Sequence, residues 1–119
     1  FQGRGVQTNH KEAVCWFRKA ADQGHIHAEC TLGDMYRHGE GVEKNDKEAV
    51  RWYRKAADQG HAKAQWCMGL VCSRGLGVEK NDKEAVRWHC KAADQGHANA
   101  QWCMGLMCSR GLGVEKNDK

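Results

Sequence analysis

The heptapeptide Gly-Val-Glu-Lys-Asn-Asp-Lys stands at 41–47, returns at 77–83 and returns again at 113–119. The spacing is 36 residues, and the intervening sequence repeats with it. Residues 41–76 and 77–112 differ at only four of 36 positions: Tyr53/His89, Arg54/Cys90, Lys63/Asn99 and Val71/Met107. Residues 5–40 are a more diverged copy, sharing 19 positions with the second. Residues 1–4 align with 37–40, the tail of a preceding unit, and 113–119 open a following one. The chain opens on Phe1 and stops in mid-unit, so we expect it to be cut from a longer array. A period of this length signals a solenoid, propeller or array, whose units bury their apolar faces against one another.

Within a unit the apolar period is helical. Ala49, Val50, Trp52, Tyr53, Ala56 and Ala57 form one stripe at a 3.6-residue period. Asn45 followed by Glu48 resembles a capping box, and Asp46 and Glu48 put negative charge at the positive end of the helix dipole. Gly60 suits a left-handed C-terminal cap. A second stripe follows, with Ala64, Met68, Val71 and Cys72, flanked by Trp66 and Cys67, and it stops at Gly75-Leu76-Gly77. Strand-like alternation is nowhere sustained. We therefore expect an all-α protein, an α-solenoid of three stacked antiparallel helix pairs over units 5–40, 41–76 and 77–112. Helix A falls at 10–22, 46–58 and 82–94, and helix B at 26–37, 62–73 and 98–109. Gly33, Gly69 and Gly105 fall inside the B helices. A helical glycine costs about 1 kcal/mol relative to alanine, so its return in every unit implies a packing reason.

Ala28…Leu32-Gly33…Tyr36…Gly39-Glu40-Gly41-Val42 leads into Asp46…Glu48-Ala49-Val50…Trp52-Tyr53-Arg54-Lys55-Ala56-Ala57…Gly60. This succession resembles the Sel-1-like repeat, a relative of the tetratricopeptide repeat, across essentially the whole chain. Met68 and Met104 stand where that pattern prefers Leu, and Cys72 and Cys108 where it prefers Tyr. A cysteine-rich branch of the family bridges the two helices of a unit by cysteines eight residues apart. The matching positions here are Ala57 and Gln65, so that bridge is absent.

The chemistry-bearing residues favour no active site. The seven cysteines include no CxxC pair. Cys67 and Cys72, five apart on one helix at about 100° per residue, cannot pair with each other. Equivalent cysteines of stacked units, such as Cys67 and Cys103, are expected about 8–10 Å apart, beyond the ~7 Å a disulfide spans. Cys72 and Cys108 read as core filler, whereas Cys15 and Cys90 replace arginines and are expected outside. His25-x-His27-x-x-Cys30 and His89-Cys90 match no closed zinc spacing, and His25, His61 and His97 read as turn or capping residues. Ser73 and Ser109 sit in neither Ser-x-x-Lys nor Gly-x-Ser-x-Gly. Related repeat proteins are linked to β-lactam binding or hydrolysis, but this chain lacks a nucleophile context for it. No catalytic residue, cofactor or metal ligand is assigned.

The formal charge is +4, with cations and anions interspersed and no block of five like charges, which argues against a nucleic-acid tail. No apolar run approaches the ~20 residues of a membrane span, and nothing marks a compartment. The resemblance implies that the A helices line the inner surface of a curved stack. Off their apolar stripe lie Arg18, Lys19, Arg51, Arg54, Lys55, Arg87 and Lys91, with Trp52 and Trp88 beside them and the rings of Phe17 and Tyr53 nearby. A basic, aromatic-flanked face suits an acidic peptide or protein. The first expectation is a non-catalytic interaction scaffold or adaptor. The resemblance implies roles in complex assembly, membrane-protein quality control or bacterial host contact. The alternative is a structural spacer in a longer array, its near-identical units reflecting recent duplication. Uncapped ends are expected to leave this fragment marginally stable or self-associating.

Overall fold

A computed structural model describes residues 9–111. The expected part-units 1–4 and 113–119 lie outside the described residues. Six helices of 13 residues follow one another: α1 (His10–Asp22), α2 (Ile26–His38), α3 (Asp46–Asp58), α4 (Ala62–Arg74), α5 (Asp82–Asp94) and α6 (Ala98–Arg110). Among the described residues there is no strand. The A helices α1, α3 and α5 take the expected bounds. The B helices α2, α4 and α6 each run one residue further, to the glycine at 39, 75 or 111, which closes the helix at φ 72°, 69° and 68°.

The caps are local and repeat with the period. Asn9, Asn45 and Asn81 accept from the backbone N–H of Glu12, Glu48 and Glu84 at 3.0, 3.1 and 3.0 Å. The reciprocal half of the expected box is not made. The N–H groups of Asn45 and Asn81 donate instead to the carbonyls of Tyr36 and Cys72, and Glu48 and Glu84 turn to Arg51 and Arg87. At the other end the expected left-handed glycine is in place, the N–H groups of Gly60 and His61 donating to the carbonyls of Ala57 and Ala56. Gln59 is the cap, at φ −90°, and Gly60 follows it at φ +91°. His25, His61 and His97 begin the B helices, each Nδ1 accepting from the N–H three residues on, at 3.1, 3.2 and 3.3 Å.

Among the described residues the backbones approach most closely between helices adjacent in sequence, most extensively across units, α2 on α3 and α4 on α5. The result is elongated, 60 × 27 × 25 Å, with a radius of gyration of 16.0 Å. A globular domain of this length would have about 13 Å. The core is a chain of overlapping clusters. Trp52 packs with Val14, Leu32 and Met35, and the next cluster gathers Tyr53, Met68, Val71, Cys72 and Trp88.

Gly33 and Gly69 have the packing role that the recurrence implied, and a Cβ on Gly105 would meet nothing within 4 Å among the described residues. A Cβ on Gly33 would meet the Tyr53 ring at 2.6 Å, and one on Gly69 would meet the His89 ring at 2.5 Å. Gly33 and Gly69 are each the seat for an aromatic ring from the next unit. The repeated heptapeptide supplies a second clasp. Gly41 and Gly77, at φ +75° and +74°, lie against the carbonyls of His10 and Asp46, at 2.3 and 2.4 Å from where a Cβ would be.

Candidate interaction surface

Helical periodicity sorts the A helices into an inner stripe and an outer row. Arg18, Lys19, Arg51, Arg54, Lys55, Arg87 and Lys91 all stand exposed on the outer row. The aromatic rings beside them do not, as the place of Trp52 and Tyr53 on the apolar stripe implied. Trp52 and Trp88 are only 3% and 9% exposed, and Tyr53 is fully buried on Gly33. Phe17 is half-buried. An indole at the edge of the stripe is large enough to be covered by the unit next to it, so Trp52 sinks among residues of α1 and α2.

The tryptophans still act on the row above. The guanidinium of Arg51 sits 5.3 Å from the Trp52 ring centroid and the Lys55 ammonium 5.0 Å, while Lys91 lies 4.9 Å from Trp88. Such contacts hold a flexible cation in place at about 0.5–1 kcal/mol each. Lys19 lies 4.6 Å over Trp16, and Arg18 donates to the Tyr36 hydroxyl. Part of the charge is already answered. Arg51 pairs with Glu48 at 3.0 Å and Arg87 with Glu84 at 2.8 Å. The face is therefore a basic row laced with carboxylates rather than a positive stripe. Arg54 has no counterpart in the third unit, where Cys90 is half-buried.

Two tryptophans are exposed, Trp16 at 61% and Trp102 at 68%. They occupy the positions of Trp52/Trp88 and of Trp66, and they stand in the first and last described units. Trp66 itself is stacked on His97 of the next unit at 5.8 Å. Cys108, expected as filler, is exposed for the same reason, whereas Cys72 is buried as expected and Cys15 is exposed.

Sequence reasoning missed a polar ladder along the A–B turns. Gln59 donates to Glu29 at 2.8 Å and Gln95 to Gln65 at 2.7 Å, each across a unit boundary. Glu29 and Gln65 are buried, so these bonds satisfy groups that would otherwise be orphaned. His61 Nε2 meets His27 Nδ1 at 3.0 Å. Since His61 Nδ1 accepts from Ala64, its Nε2 carries the proton and donates to His27. Burial, then the charges of His27 and Lys63, pull the His61 pKa below the ordinary histidine value. Cys30 and Cys67, a non-equivalent pair, are also buried neighbours, and the hydrogen bond to Cys67, then burial, hold the Cys30 thiol protonated. Among the described residues no group of three His, Cys, Asp or Glu side chains could hold a metal ion.

Comparison with known proteins agrees with this geometry. The Sel1 repeat matches residues 1–25, 26–61, 62–97 and 98–119. Among solved structures, a Sel1 repeat protein from Oxalobacter formigenes is 46% identical with a TM-score of 0.87, over 95% of this chain and 46% of that one. The protective antigen c5321 of uropathogenic Escherichia coli, which displays an SLR fold, is 43% identical with a TM-score of 0.92, over 98% of this chain and 25% of that one. Helicobacter pylori cysteine-rich protein B is 29% identical with a TM-score of 0.76, over 82% of this chain and 73% of that one. The present chain thus spans about half the length of the first and a quarter of the second. No curated protein matches. With the repeat matched from end to end and its glycine seats in register, the chain belongs to the Sel1 repeat family.

Proposed function

We propose that this chain is a non-catalytic scaffold whose A-helix row binds an acidic peptide or protein segment. Sel1 repeat proteins generally mediate protein–protein interaction and are generally non-catalytic. The observation that carries the finer reading is the placement of Arg51, Lys55 and Lys91: all are exposed, and each is held over a buried indole. Cations fixed in advance lose less side-chain entropy when a carboxylate arrives. Arg18, Lys19, Arg54 and Arg87 extend the row. A carboxylate ligand would compete with Glu48 and Glu84 for the two paired arginines, which favours a partner carrying several acidic residues.

The test is a panel of Asp/Glu-rich peptides scored by fluorescence polarisation. Binding is expected to weaken with added salt and to fall at least about tenfold in R51A/R54A/R87A. Acidic peptides held equally well by that variant would overturn the reading. A second reading, a spacer in a longer array, is favoured by the four-position difference between the second and third units. It predicts that no acidic peptide binds the wild-type chain at all. Self-association through the exposed Trp16 and Trp102 belongs to the same proposal. Sedimentation at rising concentration would show it, and a W16A/W102A variant is expected to remain monomeric.

A further inference from the structure

The two junctions between units use the same positions and are filled differently. At the first, the Tyr53 hydroxyl donates to Asp34 Oδ1 at 2.5 Å and Lys63 holds the other oxygen at 2.9 Å. At the second, position 89 is histidine, and Leu70, Ser73 and Asn99 stand where the first has Asp34, Arg37 and Lys63. The shorter ring stops over Gly69, and a cleft of 460 Å³ opens between α4 and α6, within the size range of small-molecule sites.

His89 lines this cleft and is only 2% exposed. Its Nδ1 is sealed without a partner, and among the described residues neither ring nitrogen makes a hydrogen bond. Burial, then the charge of His97, pulls its pKa below the ordinary value, so the ring is neutral, with one donor and one acceptor. The half-buried Leu70, Leu106 and Met107 give apolar walls, and a methionine sulfur favours an aromatic neighbour. At the rim Arg74 and Arg110 are exposed, and among the described residues no carboxylate pairs with either. Asp82, also at the rim, is paired with Lys80 at 3.3 Å.

We propose that this cleft binds a small phenolic carboxylate. The ring lies between Leu70, Leu106 and Met107, the hydroxyl bonds His89 at Nε2, the ring nitrogen that is not sealed, and the carboxylate meets Arg74 and Arg110. A phenol both donates and accepts, so it suits either tautomer of a neutral imidazole. An apolar ring alone would leave His89 unpartnered, and a charged group on the cleft floor would be desolvated with no counter-ion. This site is separate from the A-helix row and does not depend on it.

The test is NMR titration of the 119-residue chain with 4-hydroxyphenylacetate. Saturable shifts at His89 and Met107 are expected, with Kd of about 1 mM or tighter. Phenylacetate, lacking the hydroxyl, and 4-hydroxybenzyl alcohol, lacking the carboxylate, should each bind about tenfold more weakly. The variant L70D/S73R/H89Y/N99K, which rebuilds the first junction, should not bind. R74A alters only an exposed side chain and gives an independent readout, with carboxylate affinity down about tenfold and alcohol affinity unchanged. No saturable shift at about 10 mM, equal binding of phenylacetate, or R74A binding as wild type would overturn the proposal.

Discussion

The first junction closes on a tyrosine whose hydroxyl, carboxylate and ammonium partners form a satisfied row, Tyr53–Asp34–Lys63. The second closes on a histidine whose Nδ1 has no partner. The backbone solution is the same, an aromatic ring over a B-helix glycine, and only the filling changes. The glycine seat is what the stack requires, while the ring that occupies it is open to variation. Burial also forces the chemistry at each seat. It keeps the Tyr53 phenol protonated, supported by its neighbour Cys67 and its bond to Asp34, and it keeps His89 uncharged.

The largest test is at the seats themselves. Gly33→Ala should cost about 2–3 kcal/mol, because its Cβ would enter the Tyr53 ring, and Gly69→Ala a similar amount against His89. Gly105→Ala meets nothing within 4 Å among the described residues and should be neutral or gain up to about 1 kcal/mol from helix propensity. Urea melts of the three variants would settle the order, and equal losses at 33 and 105 would break the idea of a ring seat. Next comes one substitution at two sites. Tyr53→Phe leaves the Asp34 carboxylate short of a donor and should cost about 1–2 kcal/mol, whereas His89→Phe removes an unpartnered polar group and should be neutral or stabilising.

Acid should separate the junctions further. The folded pKa values of His61 and His89 are depressed, so their contribution to stability is complete above the unfolded value of about 6.5 and is lost as pH falls below it. Hydrogen exchange at pH 5 should therefore rise in α4–α6 before α2–α3, and H89Y should restore protection at the second junction. His61→Ala, which removes a cap, should cost about 1 kcal/mol, and His61→Asn should recover most of it. The smallest effect is at the surface. Arg87→Gln breaks an exposed pair with Glu84 and should change stability by less than about 0.5 kcal/mol in either unit's context.

Much of this fold was legible in the sequence, because helix bounds and caps are set within a few residues. Asn45, Gly75 and the apolar stripe each report on their own turn of helix. The recurring Gly33/Gly69 also announced a tight approach, though not which ring would arrive. What lay hidden depends on how one unit rotates on the next. Glu29–Gln59, His27–His61 and Cys30–Cys67 join positions that the 36-residue alignment does not pair. The outer basic row and the burial of Trp52 on the apolar stripe were readable from the period, but the neighbouring helices that cover the indole were not.

The clasp made by Gly41 on His10 and by Gly77 on Asp46 has a bearing on how such a gene changes size. One heptapeptide carries the bend that touches the preceding module and the asparagine that starts the following one. Unequal crossing-over between two copies of its coding segment therefore joins ends that already match. Lengthening or shortening by whole modules leaves every seam intact, whereas an insertion of any other length would unfasten one.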